Sequence, residues 1–156
     1  MPRPVFACDT NTDLTQFLPE VIKCILQPEQ VPETVHTLAG VVFVQEVFGS
    51  SLSVMAPLLK RGFDENLIAT KRNCARITEN MAKLVDDPYE VEPFVPVLLP
   101  ALERAKEEIS DPECRDVCAK AHEQLSRTAN KPPVWNRIEA PKALGAGLPR
   151  THLRHA

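Results

Sequence analysis

The sequence is poor in the residues that build sheets and tight turns. It has one Trp, one Tyr and six Phe, so aromatics make up 5% of its 156 residues, and glycine occurs five times. A β-sandwich would call for many short strands and Gly-rich turns, so that class is disfavoured. No apolar run approaches the length of a bilayer-spanning helix. The first residues, MPRPVFACDTNT, lack the continuous apolar core of a secretory signal. Also missing are a Gly-rich phosphate loop ending in Gly-Lys-Ser/Thr, a G-x-S-x-G elbow, an H-E-x-x-H helix and a C-x-x-C pair. No catalytic residue, no cofactor and no resident metal are therefore expected, and the chain does not read as an enzyme.

What is present is proline and cysteine. Fifteen prolines are many for a helical chain, unless they sit at helix starts and kinks, where proline is tolerated. Five cysteines form no small-domain disulfide framework. Buried, reduced thiols in the cytoplasm are the simple reading. Cys114, Cys118 and His122 follow an i, i+4, i+8 spacing that invites a zinc hypothesis. Such a stripe is about 12 Å long on a helix, too long for one ion to take all three. Buried thiols beside a satisfied or exposed histidine are the better account.

The prolines also mark a repeat. Pro19, Pro57 and Pro96 lie 38 and 39 residues apart. Each belongs to an apolar helical stretch: FLPEVIKCIL, VMAPLLKRG and FVPVLLPAL. An acidic or Pro-containing turn follows (QPEQVPE, FDEN, SDPE), and then a second helix. A period near 40 with two helices per unit is the signature of HEAT-type α-solenoids. The expected architecture is all-α, an α-solenoid of about three helix-pair repeats with an irregular C-terminal tail. Residues 1–12 read as an irregular lead. The repeats span 13–129, as units 13–48, 50–85 and 88–128. Residues 130–156 hold prolines and glycines but no apolar period, and read as a disordered basic tail in which Trp135 could dock on the last helix.

Within the units, the first helix is expected from Asp13 to Leu26 and the second from Pro32 through Val47. Val41, Val42, Val44 and Val47 make strand the local rival there, and the repeat context decides for helix. Gly49 and Gly62 read as helix ends. Asp87-Pro88 and Asp111-Pro112 each offer an N-cap and a pre-set first turn. Cys74, Ile77, Met81, Leu84 and Val85 share one face of the fourth repeat helix. Leu98, Leu102, Ala105 and Ile109 share one face of the next.

Lys71, Arg72, Arg76 and Lys83 lie off the apolar face and form the best basic stripe for phosphate contact. The surrounding charge is negative and no aromatics interleave, so a purely structural role competes. One such role is an Asp in a turn, Asp64 or Asp111, pairing with a basic residue of a neighbouring repeat. Glu103, Glu107 and Glu108 read as a solvated face.

The segments PEQVPETVHTLAGVVFVQEV, LSVMAPLLKRGFDEN, TKRNCARITENMAKLVDDPYEVEPFVPVLLPALE and ISDPECRDVCAKA together resemble the HEAT-repeat region of translation elongation factor 3. The likeness covers residues 11–128. The related region of the general-control ribosome-associated kinase activator is similar over KRNCARITENMAKL and DPECRDVCAKA. The resemblance implies a cytoplasmic, ribosome-docking arm that touches ribosomal RNA and proteins, without a membrane. It also implies a parent factor that uses ATP to help release tRNA from the exit site. This sequence carries neither ATP-binding cassette of that family, so only the docking part carries over. A general protein–protein scaffold, such as that of the kinase activator, is the alternative. A short stack of repeats with uncovered apolar ends is also expected to self-associate.

Overall fold

The computed structural model describes residues 12–135, and the sequence expectations for residues 1–11 and 136–156 lie outside them. Eight helices follow in order: α1 (Thr12–Thr15), α2 (Leu18–Leu26), α3 (Val31–Ala39), α4 (Gly49–Asp64), α5 (Ile68–Lys83), α6 (Pro88–Val91), α7 (Val95–Glu108) and α8 (Pro112–Ala129). Short 3-10 turns precede α3 and α7. No strand occurs among the described residues.

The helices pair as α2/α3, α4/α5 and α7/α8, and the pairs stack. The first members pack in one layer (α2 on α4, α4 on α7) and the second members in another (α3 on α5, α5 on α8). This is the helical solenoid that the period near 40 predicts. The α5–α8 interface is the most extensive among the described residues. Beneath it, Leu98 is 1% exposed. It meets Leu52, Leu59, Met81, Val91 and Leu125 around a small void of about 10 Å³, so the contact is close-packed.

Local chemistry sets the helix starts. Asp87 accepts the Tyr89 N–H at 3.1 Å and Asp111 accepts the Cys114 N–H at 2.9 Å, each as the N-cap before a proline. Pro96 stands in the first turn of α7, where no N–H is needed. Pro57 and Pro100 lie inside α4 and α7, on exposed positions. The backbone carbonyls they free on that side can be hydrated.

Three sequence expectations are corrected. The helix expected from Asp13 to Leu26 is broken at Gln16 and Phe17, just ahead of Pro19. A proline ring crowds the carbonyl four residues back and disfavours helical geometry in the residue before it. The helix expected to run from Pro32 through Val47 stops at Ala39, and residues 41–48 form an irregular connection, neither helix nor strand. Four valines there would lose side-chain freedom in a helix, and the connection finds other partners. Asp13 accepts the Val44 and Gln45 N–H groups at 2.9 and 3.1 Å, and the Val47 N–H donates to the Leu84 carbonyl at 3.0 Å. Phe43 and Val47 turn into the core from it.

The third correction concerns glycine. Gly49 opens α4 and donates its N–H to the Glu90 carboxylate; Gly62 is interior to α4. At Gly62 the requirement is steric, because an added Cβ would run into the Cys74 sulfur of α5. Glycine at that point lets α4 and α5 cross closely.

A common device ties one repeat to the next. The last carbonyls of a helix have no partner within it, and here a side chain of the following repeat supplies one. Arg61 of α4 donates to the Cys24 carbonyl of α2 at 2.7 Å. Thr128 of α8 donates to the Ala82 carbonyl of α5 at 2.8 Å, and Lys131 to the Val85 carbonyl just beyond it at 2.9 Å. Cations at helix C-termini also complement the helix dipole.

Replacing Leu98 by Ala is expected to cost about 2–5 kcal/mol, read from a denaturant melt; an unchanged midpoint would contradict its burial. Gly62→Ala is expected to lose about 1–3 kcal/mol through overpacking against Cys74. Gly40→Ala, whose Cβ would only touch the Thr37 carbonyl at 3.5 Å, should melt within a few tenths of a kcal/mol of wild type.

Candidate functional site

Helix α5 buries Thr70, Cys74, Ala75, Ile77, Thr78, Met81 and Ala82. With those positions committed to neighbours, its polar residues are confined to the rest of its circumference. Arg72, Arg76 and Lys83 follow an i, i+4, i+11 spacing and so share one ridge. Glu79 falls on the same ridge and binds Lys83 at 2.7 Å. Arg72 reaches Glu113, at the start of α8, at 3.4 Å. Arg76 is exposed and has no ion pair among the described residues.

Lys71 does not join this ridge. It lies about 100° around the helix from Arg72 and is half-buried. Its charge instead acts on Cys114 and Cys118 of α8, where it favours the thiolates slightly. Of the four residues singled out in the sequence, the fold brings three together and sets one apart. Two of the three are partly neutralised by carboxylates, which leaves Arg76 as the ridge's uncompensated cation among the described residues.

The thiols are core groups. Burial pushes Cys118 up to about 12, with the neighbouring Cys114 thiol adding to the effect. Burial also raises Cys74 and Cys114. Such thiols are poor nucleophiles and poor metal ligands at neutral pH. His122 turns away from them and lies 2.9 Å from the Glu103 carboxylate, which Lys106 also contacts at 2.9 Å. The Lys106 hydrogen bond holds Glu103 below the usual carboxylate range. Among the described residues no group of three His, Cys, Asp or Glu could share an ion.

The neighbouring-repeat pairing foreseen for the turn aspartates is realised at Asp64. It meets Arg104, 40 residues further on, at 3.3 Å. Asp111 serves as a helix cap, and Arg115 donates to the Ser110 carbonyl. The carbonyl-capping residues Arg61, Thr128 and Lys131 were not singled out in the sequence. The repeat period could have pointed to Arg61, 37 residues beyond its acceptor Cys24; Thr128 and Lys131 lie 46 residues beyond theirs, which departs from the period.

The elongation factor 3/GNC1 HEAT repeat pattern matches residues 29–134, from just before α3 to beyond the end of α8. Elongation factor 3 of Pneumocystis carinii is 52% identical over 121 residues, which are 78% of this chain and 12% of that protein. Elongation factor 3B of Saccharomyces cerevisiae is 48% identical over 120 residues, 77% of this chain and 12% of that protein. Elongation factor 3 of Phytophthora infestans is 46% identical over 115 residues, 74% of this chain and 11% of that protein. The chain thus spans only 11–12% of the length of these curated relatives. With the helix pairs, their stacking and two thirds of the sequence in agreement, the chain belongs to the elongation factor 3/GNC1 HEAT-repeat family.

Proposed function

We propose that this chain is a ribosome-docking HEAT module of an elongation-factor-3-like protein that acts in translation elongation in the cytoplasm. The observation that carries the reading is the family match through α3–α8, together with relatives named elongation factor 3. On this reading the module is a stack of three repeats within residues 13–129, and it holds on to ribosomal RNA and proteins. The ATP-driven release of tRNA from the exit site belongs to other parts of the longer factor.

The contact to RNA is assigned to the α5 ridge. Arg76 and Lys83 are exposed there, and Arg72 can exchange Glu113 for a phosphate because their exposed pair is weak. Lys71 contributes long-range positive charge from the side. A protein–protein scaffold is the second reading. It is favoured by α8, where Asp116–Lys120 and Glu123–Arg127 pairs leave the neighbouring ridge nearly neutral.

Sedimentation with purified eukaryotic ribosomes tests the assignment. Co-pelleting is expected at low salt. Affinity should fall about 20-fold between roughly 50 and 200 mM salt, as for about three released phosphate contacts. An Arg76→Glu, Lys83→Glu double variant should pellet less and melt as wild type does. Absence of co-pelleting would overturn the proposal, and salt-independent binding would favour the scaffold. Velocity sedimentation without ribosomes is expected to show concentration-dependent self-association. Ile22, Ile25 and Leu26 of α2 are 54%, 59% and 82% exposed and leave that end of the stack apolar.

A further inference from the structure

The first helix layer carries an open apolar groove. It lies between α2 and α4 and holds about 330 Å³. Val21, Ile22 and Ile25 form one wall, and Val54, Pro57 and Leu58 the other. Ile22 and Ile25 are more than half exposed, so the groove is open to solvent along its length. Arg61 is the one charged side chain in its lining.

Arg61 is anchored and still has binding capacity. Its Nη1 donates to the Cys24 carbonyl at 2.7 Å and to the Ile25 carbonyl at 3.4 Å, which fixes the guanidinium at the C-terminal end of α2. A guanidinium carries donors on every nitrogen of its fork, and Nε and Nη2 have no partner among the described residues. No carboxylate there lies within ion-pair distance of Arg61. Asp64, one turn further along α4, is held by Arg104 at 3.3 Å, and Lys60 beside Arg61 has the same sign.

These features select the occupant. Both walls are helices, so neither offers the row of free N–H and C=O groups that an added strand needs. A helix satisfies its own backbone and lays apolar side chains at i, i+4 and i+7 between such ridges. The anchored guanidinium matches a carboxylate at the flank of that stripe. Single-stranded RNA is a poor match, because the lining has no aromatic ring to stack a base. A second copy of α2 is also a poor match. Its one carboxylate, Glu20, lies about 120–160° around the helix from Ile22, Ile25 and Leu26.

We propose that the α2–α4 groove docks an amphipathic helix of a partner protein, with apolar side chains between Ile25 and Leu58 and an Asp or Glu beside them on Arg61. The proposal is independent of the phosphate-contact role given to α5, which lies in the other helix layer. It shares Ile22 and Ile25 with the self-association expected above, so the partner helix and a second copy compete.

The full chain would be titrated into a fluorescein-labelled helical peptide with Leu at i, i+4 and i+7 and one Glu flanking that stripe, with anisotropy as the readout. Saturable binding is expected. The same peptide with Lys in place of Glu should bind about tenfold more weakly, and one with Ser in place of the leucines should not bind. Ile22→Ser and Ile25→Ser should each weaken the Glu peptide about three- to tenfold. Both side chains are exposed, so those melts should match wild type. Arg61→Gln should erase the preference for Glu over Lys, a selective change that general loosening of the fold would not produce. The isoleucine variants and the peptide pair decide the matter even where Arg61→Gln melts early. No saturable binding, equal affinity for the Lys peptide, full affinity in both isoleucine variants, or a Glu preference that survives in folded Arg61→Gln would overturn the proposal. Displacement of the peptide by oligouridylate would assign the groove to RNA, and self-association that excludes the peptide would assign it to a second copy; either would overturn it as well.

Discussion

The close packing of α5 against its neighbours is the constraint on which the rest of the molecule depends. Helix α5 touches α3, α4 and α8 at once. Many of the residues it buries are small: Thr70, Cys74, Ala75, Thr78 and Ala82. Small side chains let helix backbones approach, and Gly62 of α4 extends the same logic from the other side. Thr78 does not bring an orphaned hydroxyl with it, since it bonds back to the Cys74 carbonyl at 2.8 Å. With so much of its circumference committed, α5 has one ridge left for fully exposed charge, and Lys71 lies half-buried off it. The position of the basic residues is therefore a consequence of packing, whatever they bind.

Cohesion between repeats rests on two kinds of contact of unequal weight. The ion pairs Asp64–Arg104 and Arg72–Glu113 are largely solvated, and pairs of that kind contribute little to stability. The bonds from Thr128 and Lys131 to carbonyls at the end of α5 matter more. The Thr128 hydroxyl is fully buried, and a buried donor or acceptor left unmade costs its desolvation. Arg61 serves the end of α2 in the same way. Each repeat thus completes the backbone hydrogen bonding of the one before it, and the stack is cooperative for that reason as well as for its shared apolar core.

The placement of surface charge follows from the same architecture. Second-layer helices present ridges on one side of the solenoid, and inter-repeat connections present their turns along an edge. The Asp-Pro turn before α6 places its N-cap carboxylate along that edge. The ridge carries whatever charge the helix exterior allows.

The sequence by itself determined the helices, the pairing, the period near 40 and the Asp-Pro caps. These are encoded locally, in the spacing of apolar residues and in the fixed backbone of proline. It also led to the family. The end of α3 at Ala39 was not legible, because whether four valines continue a helix depends on Asp13 and Leu84, which are remote in sequence and offer their backbone other partners. The structural role of Gly62 needed Cys74 from another helix. The separation of Lys71 from Arg72, Arg76 and Lys83, and the assembly of Ile22, Ile25 and Arg61 into one groove, were likewise decided only by tertiary structure. A side chain's environment is set by what packs against it, and periodicity names a face without naming the neighbour.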